Sequence, residues 1–169
     1  LYRNETGVGR ALRASLPRLG AVRGDVFITT KLWPRHGRSF KSVQRTTAAL
    51  DASLTALGVE SVDLYLIHAP FNKAQRLEQW QALTQLHEAG KARAIGVSNF
   101  GIRHIQELLD AGLPVPHANQ IELHPWSQKR DLVAFLRELG IVPIAYSSLA
   151  PLSTWRSGTR GERGKSAQM

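Results

Sequence analysis

Three side chains in this sequence, Tyr2, Lys31 and His68, suit the protonation of an alkoxide. A phenol has a pKa of about 10 and is a weak acid at neutral pH. An ammonium beside it stabilises the phenolate and eases release of the proton. A neutral imidazole can hold a carbonyl oxygen between its own N–H and the phenol. Together the three groups suit general-acid protonation of the alkoxide that forms when a hydride is delivered to a carbonyl carbon. Acyl transfer has no comparable support, because no G-x-S-x-G stretch occurs. Zero cysteines exclude a cysteine nucleophile, a thiolate metal site and disulfides.

Other polar residues carry a bland reading beside a sharp one. Ser98 and Asn99 end an apolar run and could equally cap the helix that follows. Glu122 and His124 alternate as metal ligands on one strand face would, but no third ligand accompanies them. Tyr65, Trp80, Trp126 and Trp155 read as packing or loop residues. Gly7 and Gly9 suggest a dinucleotide fingerprint only superficially, since no strand precedes them and the third glycine is absent. The stretch Gly164-Lys165-Ser166 fails as a phosphate loop, because Thr159 stands where the upstream glycine is needed.

The elements that must position these groups follow from periodicity. Apolar runs at 26–31, 63–68, 94–99, 118–121 and 141–147 read as buried strands, each carrying a polar side chain. A helix in 1–19 presents Val8, Leu12, Leu16 and Leu19. A second runs to about Leu57 from a cap at Ser39 or Ser42, with Val43, Leu50, Leu54 and Leu57 as its stripe and Gly58 as its stop. Further helices fall at about 75–89, 103–111 and 128–139, closed by Gly90, Gly112 and Gly140. Short helical crossovers between apolar strands are the mark of parallel βαβ units. Polar groups at the carboxyl ends of such strands converge on one face of a (β/α) barrel. About five units are legible, where a closed barrel of this type has eight. Residues 151–165 read as a loop rich in Gly, Ser, Thr and Arg.

The 169 residues suffice for a real core but are short for a whole barrel, which needs about 250. No apolar run approaches the roughly 20 residues that span a bilayer, so no membrane partner is expected. The net charge of +9 reads as a solvated arginine-rich surface. The basic residues are dispersed except at 33–38 and 156–165, and no aromatics interleave as in a single-strand binder, so nucleic-acid binding ranks last. The lack of cysteine fits a reducing, cytoplasmic location.

Several stretches together resemble the aldo-keto reductase superfamily. They are Tyr2-Arg-Asn4-Glu5-Thr-Gly-Val-Gly9, Thr30-Lys31-Leu32-Trp33, Asp63-Leu-Tyr-Leu-Ile-His68-Ala-Pro70, Gly90-Lys-Ala-Arg93-Ala-Ile-Gly96-Val-Ser98-Asn99-Phe100, Asn119-Gln120-Ile-Glu122-Leu-His124-Pro125 and Ala145-Tyr146-Ser147-Ser-Leu149-Ala. They keep the family's order and cover nearly all of the chain to about residue 150. The resemblance implies an α/β fold of the (β/α)8 TIM-barrel type that reduces aldehydes and ketones to alcohols with NADPH. It matches Tyr2 to the general acid, Lys31 to the lysine that lowers the tyrosine's pKa, and His68 to the histidine that orients the carbonyl. It matches Ser98, Asn99 and Gln120 to the residues that hydrogen-bond the nicotinamide carboxamide, and Tyr146 to the aromatic that stacks on the ring. Ser147 and Leu149 match positions near the pyrophosphate, and Leu1 and Trp33 match walls of the substrate pocket. A small-molecule carbonyl substrate and a monomeric parent are implied with them.

The family's catalytic aspartate lies a few residues before the tyrosine, upstream of Leu1, and its adenosine-phosphate site follows the last strands. The expectation is therefore a single domain over 1–169, incomplete at both ends, lacking about the first two strands and the last. The alternatives are an inactive truncated product and a non-catalytic cofactor-binding subunit on the same scaffold.

Overall fold

The computed structural model describes residues 4–34, 42–71 and 73–149. Five strands, β1 (Thr29–Leu32), β2 (Val62–Ile67), β3 (Ala92–Ser98), β4 (Ala118–Glu122) and β5 (Val142–Tyr146), form one sheet in chain order. Every neighbouring pair is parallel. Four crossover helices join them in turn: α2 (Val43–Leu57), α3 (Lys73–Glu88), α4 (Ile102–Asp110) and α5 (Arg130–Glu138). Helix α1 (Glu5–Arg18) precedes β1 and packs on α2.

Side chains alternate across each strand, so the sheet has two apolar layers. On the helix-covered face, Leu32, Tyr65, Ile67, Ile95, Val97 and Ile121 meet Leu50, Trp80, Leu83, Ile105 and Leu136 from the crossovers. On the opposite face a smaller cluster joins Leu64, Leu66 and Ala118. Burial of a large apolar side chain contributes about 1.5–3 kcal/mol, which makes α3, with Trp80, Leu83 and Leu86 all sequestered, the best-anchored helix. The one polar atom of Trp80 is satisfied, since its indole N–H donates to the Pro114 carbonyl at 2.8 Å.

Helix limits follow the sequence signals. Ser42 caps α2 by accepting from the Arg45 N–H, and Gly58 ends it in the left-handed conformation at φ +68°. In β3, Gly96 answers to a close approach instead. A Cβ there would lie 2.5 Å from the Ala118 carbonyl oxygen and 2.8 Å from a Leu66 methyl.

Three expectations are corrected. The run from Val26 yields a strand only from Thr29, because the Ile28 N–H is taken by the Asp63 carboxylate at 2.8 Å and Phe27 is exposed. The strand expected over 94–99 starts two residues earlier, since Ala92 and Arg93 belong to β3. The apolar stripe of α1 is only partly covered: Leu12 packs against the core while Val8 and Leu19 are exposed, and the one buried residue of the helix is Gly9, against the carbonyls of Ala56 and Leu57. Close helix crossing, and not nucleotide binding, is the use of that glycine.

Asp63 is the one acidic side chain among the buried polar residues described. Burial opposes its ionisation. The Ile28 N–H and the guanidinium groups of Arg23 and Arg93 more than offset this and hold the carboxyl below the usual carboxylate range. Each arginine reaches it at 2.8 Å. In β5, Pro143 lies opposite Asn119, and the preceding Val142 N–H donates to the His117 carbonyl. The loop after 150, with Trp155, lies outside the described residues, as do Leu1 and Tyr2. No described helix is long and apolar enough to cross a membrane.

Candidate active site

Strand register decides which polar groups share a face. Lys31 pairs with Leu66, Leu66 with Gly96, and Gly96 with Ala118. Two residues further along the same face Ser98 pairs with Gln120, and two residues beyond that Glu122 pairs with Tyr146. His68 follows β2 two positions after Leu66, tied to β1 by its N–H on the Leu32 carbonyl at 3.0 Å. Lys31, His68, Ser98, Gln120 and Tyr146 therefore occupy one face at the carboxyl ends of successive strands. This is where a parallel α/β fold gathers chemistry.

Lys31 and His68 form the first half of the site. Both are half-buried. Desolvation pulls the Lys31 ammonium below its ordinary value. Burial, and then the charge of Lys31, pull the His68 imidazole below its own. The imidazole is thus neutral at pH 7, the form that can orient a carbonyl oxygen. The Trp33 indole stands edge-on to His68, with ring centroids 4.8 Å apart, and edge-on to Phe71 at 5.6 Å. A cleft of about 480 Å³ opens beside these residues, lined by Lys31, Trp33 and His68 and by Asn4, Glu5 and Val8 of α1. Phe71 was not singled out from the sequence. Its only signal there was an aromatic just beyond the proline that stops β2.

Ser98, Asn99, Gln120 and Tyr146 form the second half. The Gln120 backbone carbonyl accepts both the Ser98 hydroxyl at 2.8 Å and the Asn99 N–H at 2.9 Å. The Asn99 side chain donates to the His68 carbonyl at 3.0 Å and to the Ser98 hydroxyl at 3.1 Å. It accepts the Tyr146 hydroxyl at 2.8 Å. Ser98 and Asn99 do not cap α4, whose N-cap is Gly101. The half-buried Gln120 carboxamide makes no hydrogen bond to the described residues, which leaves two donors and an acceptor for a ligand. Ser147 follows in a left-handed conformation at φ +52°, and Leu149 is exposed.

The Glu122–His124 pair is drawn together but does not read as a metal site. His124 Nδ1 accepts the Trp126 N–H, so the ring hydrogen sits on Nε2, which faces Glu122 Oε1 at 3.4 Å. No cluster of three or more ligating side chains occurs among the described residues. Trp80 and Tyr65 are buried packing residues and Trp126 is exposed, in line with their bland reading.

Comparison with known proteins agrees with this layout. The sequence profile of the Aldo/keto reductase family matches residues 1–167. A methylglyoxal reductase of Yersinia pestis is 42% identical over 151 residues, covering 89% of this chain and 51% of the relative. A glyoxal reductase of Bacillus subtilis is 39% identical over 149 residues, covering 88% and 51%. The crystal structure of a Bombyx mori aldo-keto reductase in complex with NADP superposes with a TM-score of 0.84, with 34% identity over 94% of this chain and 53% of that one. The chain thus spans about half the length of the curated relatives it matches, and its five βα units correspond to part of a (β/α)8 barrel. With the profile, the relatives and the strand order in agreement, the chain belongs to the aldo/keto reductase family.

Proposed function

We propose that this chain carries the central part of an NADPH-dependent reductase that converts aldehydes and ketones to alcohols. The observation that carries the reading is the shared face of Lys31, His68, Ser98, Gln120 and Tyr146 at the strand ends. The matched reductases of glyoxal and methylglyoxal, and the NADP-bound neighbour, support carbonyl reduction with this cofactor.

The fit of the cofactor is tested by the donor set. A carboxamide needs both a donor and an acceptor, and Gln120 has both uncommitted among the described residues. Ser98 and Asn99 complete that end of the site, the Tyr146 ring offers a flat apolar face, and Ser147 and Leu149 continue toward the phosphates. When bound, NADPH supplies the hydride that reduces the carbonyl carbon. His68, neutral beside Lys31, orients the carbonyl oxygen. Tyr2 gives that oxygen its proton, and the Lys31 ammonium stabilises the phenolate left behind. Leu1 and Trp33 bound the substrate. The reading places the protein in the cytoplasm as a monomeric single-domain enzyme with a small carbonyl substrate.

Tyr2→Phe tests the proposal. We expect turnover of methylglyoxal and of an aromatic aldehyde to be lost by at least about a hundredfold, while NADPH still quenches on titration. Retained turnover in that variant would overturn the assignment.

A further inference from the structure

We propose that Arg76 is a positioning residue for the substrate: paired with Glu107, it ties down the Pro70 carbonyl and so fixes Phe71, which backs the Trp33 wall of the cleft. The proposal rests on the reductase reading above and adds to it a residue outside the hydride and proton chemistry.

Arg76 lies in the first turn of α3, where a cation is ill placed against the positive end of the helix dipole. It is also buried, and a buried guanidinium is costly unless it is paired and hydrogen-bonded. Its partners come from two other parts of the chain. The Nε–H donates to Glu107 Oε2 of α4 at 3.0 Å, and Nη2 donates to the same oxygen. The remaining arm, Nη1, turns back and donates to the Pro70 carbonyl at 3.0 Å. The pair with Glu107 alone would answer the charge. The bond to Pro70 is the one that reaches the site.

Pro70 follows His68 by two residues on the way out of β2. Its carbonyl and the Phe71 nitrogen belong to one planar peptide unit, so holding the oxygen sets the direction in which Phe71 leaves the backbone. The exposed Phe71 ring stands edge-on to Trp33, and Trp33 stands edge-on to His68 and lines the cleft. A line of contact thus runs from α4 through Arg76 to the substrate wall. His68 has separate moorings: its N–H lies on the Leu32 carbonyl, and its own carbonyl receives the Asn99 amide. Loosening Phe71 therefore changes how a bulky substrate is held and leaves the reacting groups in place.

The test is steady-state kinetics of the full chain with benzaldehyde and with methylglyoxal, beside NADPH titration. The variants are Arg76→Lys, which keeps a charge for Glu107 but gives up the fork that also grips Pro70, and Arg76→Met combined with Glu107→Leu. The double variant removes both charges together and leaves neither buried alone, so it should fold. We expect each to raise KM for benzaldehyde about fivefold, the effect of one hydrogen bond, with kcat and the NADPH dissociation constant within about twofold of native. Methylglyoxal is small and makes little contact with the wall, so its KM should stay within about twofold. A native KM for benzaldehyde in either variant would overturn the proposal. So would an equal rise for methylglyoxal, or losses in kcat and NADPH binding beside KM, which mark general loosening. Should the native chain turn over neither aldehyde, the reductase reading falls and the Trp33 indole N–H resonance, assigned through Trp33→Phe, decides the tie. Its displacement in Arg76→Lys, with the Trp126 resonance in place, would support the tie. An unmoved Trp33 resonance, or both moving together, would overturn it.

Discussion

Lys31 lies near enough to His68 for the ammonium to bear on the imidazole, and this sets the sign of the site's response to pH. Burial and the neighbouring positive charge both disfavour the imidazolium. The folded-state pKa of His68 is therefore below the ordinary 6.5. Stability from keeping the ring neutral is present in full above that ordinary value and is lost as pH falls through the lower, folded one. Carbonyl orientation fails over the same range, where two cations would face each other. In a proton NMR titration we expect the His68 midpoint below 6.5 in the native chain and closer to it in Lys31→Met. A midpoint unmoved by that substitution would mean that the lysine charge does not reach the ring. Lys31 and His68 were legible as a pair from residue type and strand-end position alone. The engagement of Asn99 was not, since it depends on partners 31 and 47 positions away that only the folded sheet brings together.

At the scale of elements, β3 is the strand with least room. Its Gly96 faces the Ala118 carbonyl across the β3–β4 pair, where the obstacle to a side chain is backbone and cannot rotate away. Gly96→Ala is expected to lower stability by about 1–3 kcal/mol in urea unfolding, the usual cost of overpacking. Gly24→Ala, in an exposed turn with nothing within 4 Å of the added carbon, is the control that should leave the midpoint nearly unchanged. The strand and helix order was readable because each crossover keeps its own signals: an apolar stripe at helical spacing and a glycine stop. Helix α1 shows the limit of that reasoning. Val8, Leu12, Leu16 and Leu19 have the spacing of a buried stripe, yet spacing says only that a face is apolar and not what covers it. Likewise residues 26–28 have strand-like composition, but a distant carboxylate takes the Ile28 N–H and the strand starts later.

For the molecule as a whole, Asp63 gathers three separate parts of the chain: the turn at Arg23, the start of β1 at Ile28 and the body of β3 at Arg93. Its depressed pKa gives an acid-sensitive component of stability. That component is complete above the ordinary carboxylate value of 3.8 and disappears as pH falls through the lower, folded value. Arg93 is largely exposed, so water screens its share and Arg23 and the Ile28 N–H carry most of the effect. Asp63→Asn is expected to lower stability at neutral pH by about 1–3 kcal/mol and to flatten the acid limb of the stability profile. An unchanged acid limb would place the pH sensitivity elsewhere.

Pro143 bears on what can pair with the outer flank of β5. Because the Val142 N–H points toward β4, the next residue along a parallel strand turns its nitrogen to the outer flank, and at Pro143 that nitrogen has no hydrogen to give. A strand laid against that flank finds a rung missing at the second of the five residues of β5. Whatever strand takes that place, the next one of the barrel included, must be one that needs no donor at that rung.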